Sequence, residues 1–547
     1  MSTTMTTTTS SSTARRDLLV SFATIAVAGA VTAVYSLYQK KRRENAQKIV
    51  PKEQVWNLRN QYFSQRLIVS YSNSNPLMVM KGQGARLMDE NGTSYLDTRN
   101  NVCHLGHCHP AVVRAVQEQV AILNTNTRYL HPHMVQLAEQ LVTRHFPPNL
   151  CKVFFCNSGS EANDLALRLA RAYSGGSNNT IVVQGAYHGH TLGVLEISPY
   201  KFLKGSEYDK PEQANHRCSF RNLATLSGND GNGPEQNDYY TKIAQSPGPH
   251  IWQVPAPDTF RGPHRNPDTA ADEYAQYVQD ACNEFTQGRQ EKVRAFIMEG
   301  GLSIGGVIVP PPGYLAKVAR AVRAAGGVYI ADEVQTGFGR LGSTFWAWEQ
   351  QGDQMSEDGI PDIVTLGKPF GNGMPLAAVV TTPQVAQAFE DVGVEYFNTF
   401  AGNPVCCAAG LAVLKVIQEE NLQQRALEVG GYMKAEFERL ARTDVPLIGC
   451  VRGSGLFLGL EMVRDRDTLE PATLETSLVC SILRNQYQIL TSIDGFHDNV
   501  FVIKPPMIFS KKDVDYFVSS FRKAVLDDLP LELTAARFSG DTAHTPT

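Results

Sequence analysis

Two stretches, Gly327-Val328-Tyr329-Ile330-Ala331-Asp332-Glu333-Val334-Gln335-Thr336-Gly337-Phe338-Gly339-Arg340 and Pro361-Asp362-Ile363-Val364-Thr365-Leu366-Gly367-Lys368-Pro369-Phe370-Gly371-Asn372-Gly373, follow one pattern. In each, a short apolar run (328–331, then 363–366) ends at a chemically active side chain and a glycine-rich turn. Unbroken apolar runs of this length, bounded by turn residues, predict buried parallel strands. Asp332 stands at the carboxyl end of the first run and Lys368 just beyond the second. An acid and an amine are therefore expected at neighbouring strand ends.

A lysine in such a place is costly to keep charged, and burial lowers its pKa toward the range where it acts as nucleophile and base. Schiff-base chemistry with pyridoxal 5'-phosphate needs that lysine, together with an acid that keeps the pyridine nitrogen protonated. Lys368 and Asp332 match these two roles and are the candidate catalytic residues. Outside such motifs, a lone Asp and a lone Lys would read as a surface salt bridge.

Both stretches resemble the signature of the class III, pyridoxal-phosphate-dependent aminotransferases of fold type I. Further motifs resemble the ethanolamine-phosphate and phosphohydroxylysine phospho-lyases within that family, and the similarity runs from about residue 56 to about residue 526. The resemblance implies an α/β fold: a large cofactor-binding domain (106–400) with a mostly parallel sheet, and a small α+β domain built from 56–105 and 401–528.

Working outward, the strand 152–156 runs into Asn157-Ser158-Gly159-Ser160-Glu161-Ala162-Asn163. Ala162, Leu165, Ala166, Leu169, Ala170 and Tyr173 then recur at helical spacing. Strand, small-residue turn and helix start present free backbone amides and a positive dipole end to an anion. By resemblance this is the cup for the cofactor phosphate, formed by Ser158, Gly159 and Ser160. The next strand, 181–184, ends in Gly185-Ala186-Tyr187-His188-Gly189-His190. Resemblance lays Tyr187 flat on the cofactor ring and makes His188 a supporting contact rather than a catalytic base. It also places Glu299 near the cofactor, restraining an Arg or Gln, lets Val334 pack on the ring, and gives Gln335 a hydrogen bond to the ring oxygen. Thr399, in Asn398-Thr399-Phe400-Ala401-Gly402-Asn403-Pro404, is implied to reach the cofactor phosphate of a second subunit, which makes the expected active unit a homodimer. Ala401 stands where the family commonly has Gly.

The 547-residue chain is 42% hydrophobic and 19% charged, ample for two globular domains with real cores. Its 50 basic and 54 acidic residues leave a net charge of -4, which gives no sign of nucleic acid as a partner. The cluster Cys103-His104-Leu105-Gly106-His107-Cys108-His109 is read as a loop, not a metal site, because adjacent ligands rarely converge on one ion. No metal is expected. Residues 1–16 and 529–547 read as polar, disordered tails, and 221–248 as a disordered surface insertion. Residues 17–39 contain an apolar run of about 20 residues followed by Lys40, Lys41, Arg42 and Arg43, which predicts a single transmembrane anchor. The positive-inside rule then keeps the basic linker (40–55) and the catalytic body cytosolic, with a mitochondrial presequence as the alternative.

The reaction class turns on a few positions. An aminotransferase must bind a carboxylate, and many class III members carry an Arg three residues before a late Pro-Pro; here, in Phe501-Val502-Ile503-Lys504-Pro505-Pro506, that residue is Val502. Arg128 and Arg452 are the alternative forks. Asn124-Thr125-Asn126-Thr127-Arg128-Tyr129-Leu130-His131, Ser198-Pro199-Tyr200-Lys201-Phe202 and Asp258-Thr259-Phe260-Arg261-Gly262-Pro263 resemble the phospho-lyases. A phosphate-bearing amine needs cationic partners, for which Arg128, Lys201 and Lys504 are the candidates. The expectation is elimination of phosphate to give an aldehyde and ammonia. An aminotransferase using pyruvate or glyoxylate is the alternative, and an inactive membrane-tethered scaffold the remote one.

Overall fold

A computed structural model describes residues 50–65, 67–71, 75–201, 248–350 and 357–533. The chain divides into two compact units, Met1–Met78 and Val79–Thr547. In the first, Lys52–Tyr62 is an α-helix with no buried residue, beginning inside the stretch read as a linker. The remaining description concerns the second unit.

Its centre is a seven-stranded sheet. In chain order the strands are β1 (Lys152–Cys156), β2 (Thr180–Val183), β3 (Ile251–Val254), β4 (Ala295–Glu299), β5 (Val328–Asp332), β6 (Ile363–Leu366) and β7 (Ala377–Thr381). Across the sheet they run β1-β7-β6-β5-β4-β2-β3. All are parallel except β7, which pairs antiparallel with both β1 and β6. Every residue of β2, β4, β5, β6 and β7 is buried, as expected of strands covered on both faces. Helix Gly159–Tyr173 packs over β6 and β7 through Ala162, Leu165, Ala166, Leu169 and Ala170, all at most 5% exposed. Tyr173, assigned to the same stripe, is 43% exposed, because the helix ends there and leaves the sheet.

Two four-stranded sheets flank this core. One joins Val79–Gln83, Arg86–Asp89 and Ser94–Asp97 to the distant segment Ile489–Leu490, which pairs parallel with Ser94–Asp97. The turn at Asn91-Gly92 joins Arg86–Asp89 to Ser94–Asp97, and Gly84 (φ +59°) turns the chain back between Val79–Gln83 and Arg86–Asp89. The other sheet combines Ile448–Ser454, Phe457–Met462, Val500–Ile503 and Ser492–Asp494.

The expected transmembrane helix requires correction. Residues 17–39 lie outside the described residues, and among those described no helix is long and apolar enough to cross a membrane. A spanning helix needs about 20 predominantly apolar residues. The 22-residue helix Leu422–Thr443 has the length but carries Arg425, Glu428, Lys434, Glu436, Glu438, Arg439 and Arg442. The fold class is therefore the α/β fold of the described residues without a membrane span, and the membrane-anchored, cytosolic placement is withdrawn with it. Residues 221–247 of the expected insertion also lie outside the described residues. Helical backbone continues through 533, into the stretch read as a polar tail, with Leu529 buried.

Candidate active site

The register of the sheet assembles the site. Glu299 pairs with Asp332 across β4 and β5, and Asp332 with Thr365 across β5 and β6. Three polar side chains from three strand ends thus stand in a row at the carboxyl edge, where open α/β sheets place their ligands. Lys368 opens the short 3-10 turn Lys368–Gly371 directly after β6.

Asp332 is 3% exposed and fully organised. Its Oδ2 accepts from Asn163 Nδ2 and faces His188 Nδ1, each at 2.7 Å, while Oδ1 accepts from the Val334 amide at 3.1 Å. Asn163 donates also to the His188 carbonyl (2.9 Å), and its Oδ1 accepts from Thr365 Oγ1 (2.6 Å). One amide side chain therefore ties the helix Gly159–Tyr173 to two strand ends and to the loop after β2. His188 Nε2 is buried with no hydrogen-bond partner. Sequence reading quoted Asn163 in its motif but gave it no role; a buried Asn on the apolar face of a helix is the signal that marks it.

At the proposed cup, the strand Lys152–Cys156 leads through a two-residue turn into the helix Gly159–Tyr173. Ser158 caps the helix by accepting from the Glu161 amide, and Ser160 Oγ accepts from the His190 amide at 3.1 Å. First-turn amides of Gly159 and Ser160 have no intrahelical acceptor. A Cβ on Gly159 would lie 2.6 Å from Val334 Cγ1, and one on Gly367 3.0 Å from the same atom. Only glycines let the cup, β5 and the Lys368 turn approach this closely. Gly159→Ala is accordingly expected to lower stability by about 1–3 kcal/mol and to loosen the cup. Thermal denaturation and the rate of cofactor loss on dialysis would check both.

Lys368 is partly buried, and burial lowers its pKa, opposed by the charges of Asp332 and Glu299. Glu299 is 2% exposed and is pushed up to about 7 by burial, then by the charge of Asp332. It accepts from the Tyr187 and Ser303 amides at 3.0 and 3.2 Å. The expected Arg or Gln partner of Glu299 is thus replaced by two backbone amides. Gln335 Oε1 accepts instead from Lys504 Nζ and from Asn101 Nδ2, both at 3.1 Å. Lys504 Nζ also donates to Ser303 Oγ at 3.0 Å. Ser303 and Asn101 were not legible as site residues, since each sits in a loop far in sequence from both strand motifs.

The other candidates stand as follows. Tyr187 is half-buried, packed edge-on against Tyr200, and burial raises its pKa. Thr399 is exposed, next to Asn398, which hydrogen-bonds Asn157 (2.9 Å) and Glu161 (3.2 Å) at the cup. Arg128 is exposed, its guanidinium 4.3 Å from the centre of the Phe397 ring. Lys201 closes the 3-10 turn Pro199–Lys201. Arg452 is committed to Glu461 and to the carbonyls of Gly306 (2.8 Å) and Val307 (3.1 Å). Val502 lies in an apolar cluster with Val307, Leu341, Ala347, Phe457 and Val500. Among the described residues no group of three or more His, Cys, Asp or Glu is placed to hold a metal ion.

A lysine and an acid on adjacent strand ends, facing a glycine-lined cup at a helix N-terminus, define a fold type I pyridoxal-phosphate enzyme. The family model for aminotransferase class III matches residues 68–214 and 231–525, and the chain belongs to that family. It is 43% identical over 489 residues to the Drosophila melanogaster alanine–glyoxylate aminotransferase 2-like protein, covering 89% of each chain. It is 38% identical over 475 residues to the Caenorhabditis elegans ethanolamine-phosphate phospho-lyase homolog 1, covering 85% of this chain and 91% of the other. Among solved structures, an Arthrobacter phospholyase in complex with phosphoethanolamine superposes with a TM-score of 0.73 at 32% identity, over 86% of this chain and 99% of that one. The cofactor is pyridoxal 5'-phosphate. The residues present fit it: a helix start with free first-turn amides at Gly159 and Ser160, drawn against Val334 where a Cβ would not fit, a buried acid for the ring nitrogen, and an amine of lowered pKa.

Proposed function

We propose that the chain is a phospho-lyase that eliminates phosphate from a phosphorylated amine, phosphoethanolamine or phosphohydroxylysine, to give an aldehyde, ammonia and phosphate. The observation that carries this reading is the kind of positive charge beside Lys368. It is the compact ammonium of Lys504, held by two neutral oxygens, whereas the guanidinium of Arg452 is committed to Glu461 and Val502 is walled into an apolar cluster. A planar fork grips a carboxylate or a phosphate alike, and a point charge also binds phosphate; with neither Arg452 nor Val502 offering the fork that an amino-acid carboxylate needs, Lys504 is left to meet a phosphate. The Arthrobacter phospholyase and the nematode phospho-lyase homolog support the same reaction class.

When bound, the cofactor supplies an electron-accepting ring that stabilises negative charge on the carbon bearing the substrate nitrogen. Lys368 holds the cofactor and, once displaced, removes the proton from that carbon. Asp332 keeps a proton on the ring nitrogen, and His188 and Asn163 fix its orientation. The Gly159 and Ser160 amides hold the cofactor phosphate. Catalysis then rests on alignment and charge stabilisation rather than on a strong base.

The active unit in this reading is a homodimer. Leu130 is 96% exposed, Ile122 79%, and Tyr129 and Phe400 68% each, around Thr399 and Arg128 in sequence. A second copy would cover these apolar side chains and receive Thr399 at its cofactor phosphate.

The test is phosphate release by the purified protein from phosphoethanolamine and from phosphohydroxylysine with no keto acid present. Repeated turnover on either substrate is expected. The likeness to an alanine–glyoxylate aminotransferase 2-like protein at 43% identity supports a second reading, amino transfer to glyoxylate or pyruvate. No phosphate from either ester, with alanine formed when pyruvate and an amine donor are supplied, would replace the first reading with the second.

A further inference from the structure

Lys504 follows directly on the strand Val500–Ile503, and its position is pinned from both sides. Its own amide donates to the Thr98 carbonyl (2.8 Å), and the next carbonyl, of Pro505, accepts from the buried guanidinium of Arg340 (2.6 Å). Nζ donates to Ser303 Oγ and to Gln335 Oε1. Both acceptors are neutral and already oriented, Ser303 by its amide on Glu299 and Gln335 by Asn101. Among the described residues the third N–H has no acceptor, and no carboxylate lies within ion-pair distance of Nζ. More distant charges oppose one another: Asp494 and Glu299 favour the ammonium, Lys368 and Arg99 disfavour it. Burial is the largest influence and lowers the group to about 8. A partly buried cation whose direct acceptors are both neutral, in the field of a second lysine, is stabilised by an arriving anion.

The leaving group has a requirement of its own. A phosphate monoester in its dianionic form would expel trianionic phosphate if the carbon–oxygen bond broke unaided, and that ion is far too basic to leave readily. A proton delivered to the bridging oxygen turns the departing group into hydrogenphosphate. Resting on the phospho-lyase reading, we propose that Lys504 is the general acid of the elimination, giving its third proton to the ester oxygen as the carbon–oxygen bond breaks. The electron pair of that bond leaves with the oxygen, the Lys504 proton joins it, hydrogenphosphate departs, and the neutral amine regains a proton from water. Ser303 and Gln335 are positioning residues that aim the ammonium.

The experiment compares two esters on the holoenzyme, phosphoethanolamine and ethanolamine O-sulfate, whose sulfate leaves as a dianion with no proton needed. Lys504→Met is expected to slow phosphate elimination by about 10²–10³-fold and sulfate elimination far less. In the wild type, kcat/KM for the phosphate ester, which reports the free enzyme, should fall as pH rises through about 8, since only the protonated ammonium donates, while sulfate elimination falls far less. Equal losses on both esters, or unchanged phosphate release by the variant, would overturn the assignment. Should the variant fail to fold or the sulfate ester prove inert, the wild-type pH profile decides alone, and a flat phosphate profile rejects the general acid. A wild type that releases no phosphate at any pH removes the phospho-lyase reading and this step together.

Discussion

Lys368→Ala is expected to reduce turnover by about 10⁴-fold or more and to abolish the covalently held cofactor, leaving a protein of nearly wild-type stability. The asymmetry follows from where the side chain sits. Lys368 is the first residue of a 3-10 turn, only partly buried, and among the described residues its side chain has no hydrogen-bond partner that holds the fold. Burial disfavours its charge, so trimming it removes an electrostatic strain along with the chemistry. Absorbance of bound cofactor after gel filtration, phosphate release and thermal denaturation together check the expectation. Retention of the visible band, or loss of folding in place of loss of turnover, would contradict it.

Asp332→Ala should damage both activity and stability. Without the carboxylate, His188 Nδ1 and one N–H of Asn163 lose their acceptor inside a buried site, at about 1–3 kcal/mol for each unpaired group. In the role proposed for Asp332, holding a proton on the cofactor ring, its removal is expected to lower kcat by about 10³-fold. Asp332→Asn separates the two effects, because it keeps the volume and one acceptor oxygen while surrendering the charge. Its stability should lie between those of the wild type and the alanine variant, since its amide nitrogen meets the Val334 N–H, and its activity should lie close to that of the alanine variant. Equal activity in Asn and wild-type forms would show that the carboxylate charge is not used.

What could be read ahead of the structure follows the physics of each element. Strand β6 appears with the residues that its apolar run delimits, because a strand buried on both faces leaves a continuous apolar signature, and β1 has the bounds read for it, 152–156. Strand β7 (Ala377–Thr381) was missed although its run is equally apolar. It is the antiparallel member, carries no chemistry at its end, and nothing local announces its pairing. The cup, Asp332 and Lys368 were legible because strand, turn and chemical group adjoin in sequence. The link from Lys504 through Ser303 and Gln335 to Asn101 was not, since its members are brought together by the small sheets and loops rather than by one motif. Arg452 looked available as a carboxylate fork only until its partner, Glu461, was seen pairing on the neighbouring strand.

Asn163, with its oxygen on Thr365 and its nitrogen on both Asp332 and His188, decides when the site becomes ordered. These bonds connect a core helix to core strands, so they form as the sheet and helix pack, and the conformational entropy of arranging the acid is lost during folding rather than at ligand arrival. On the proposed placement, the cofactor therefore meets a seat already in shape, and its binding free energy is not diminished by building one. A single amide buried under the sheet edge in this way converts folding stability into readiness to bind.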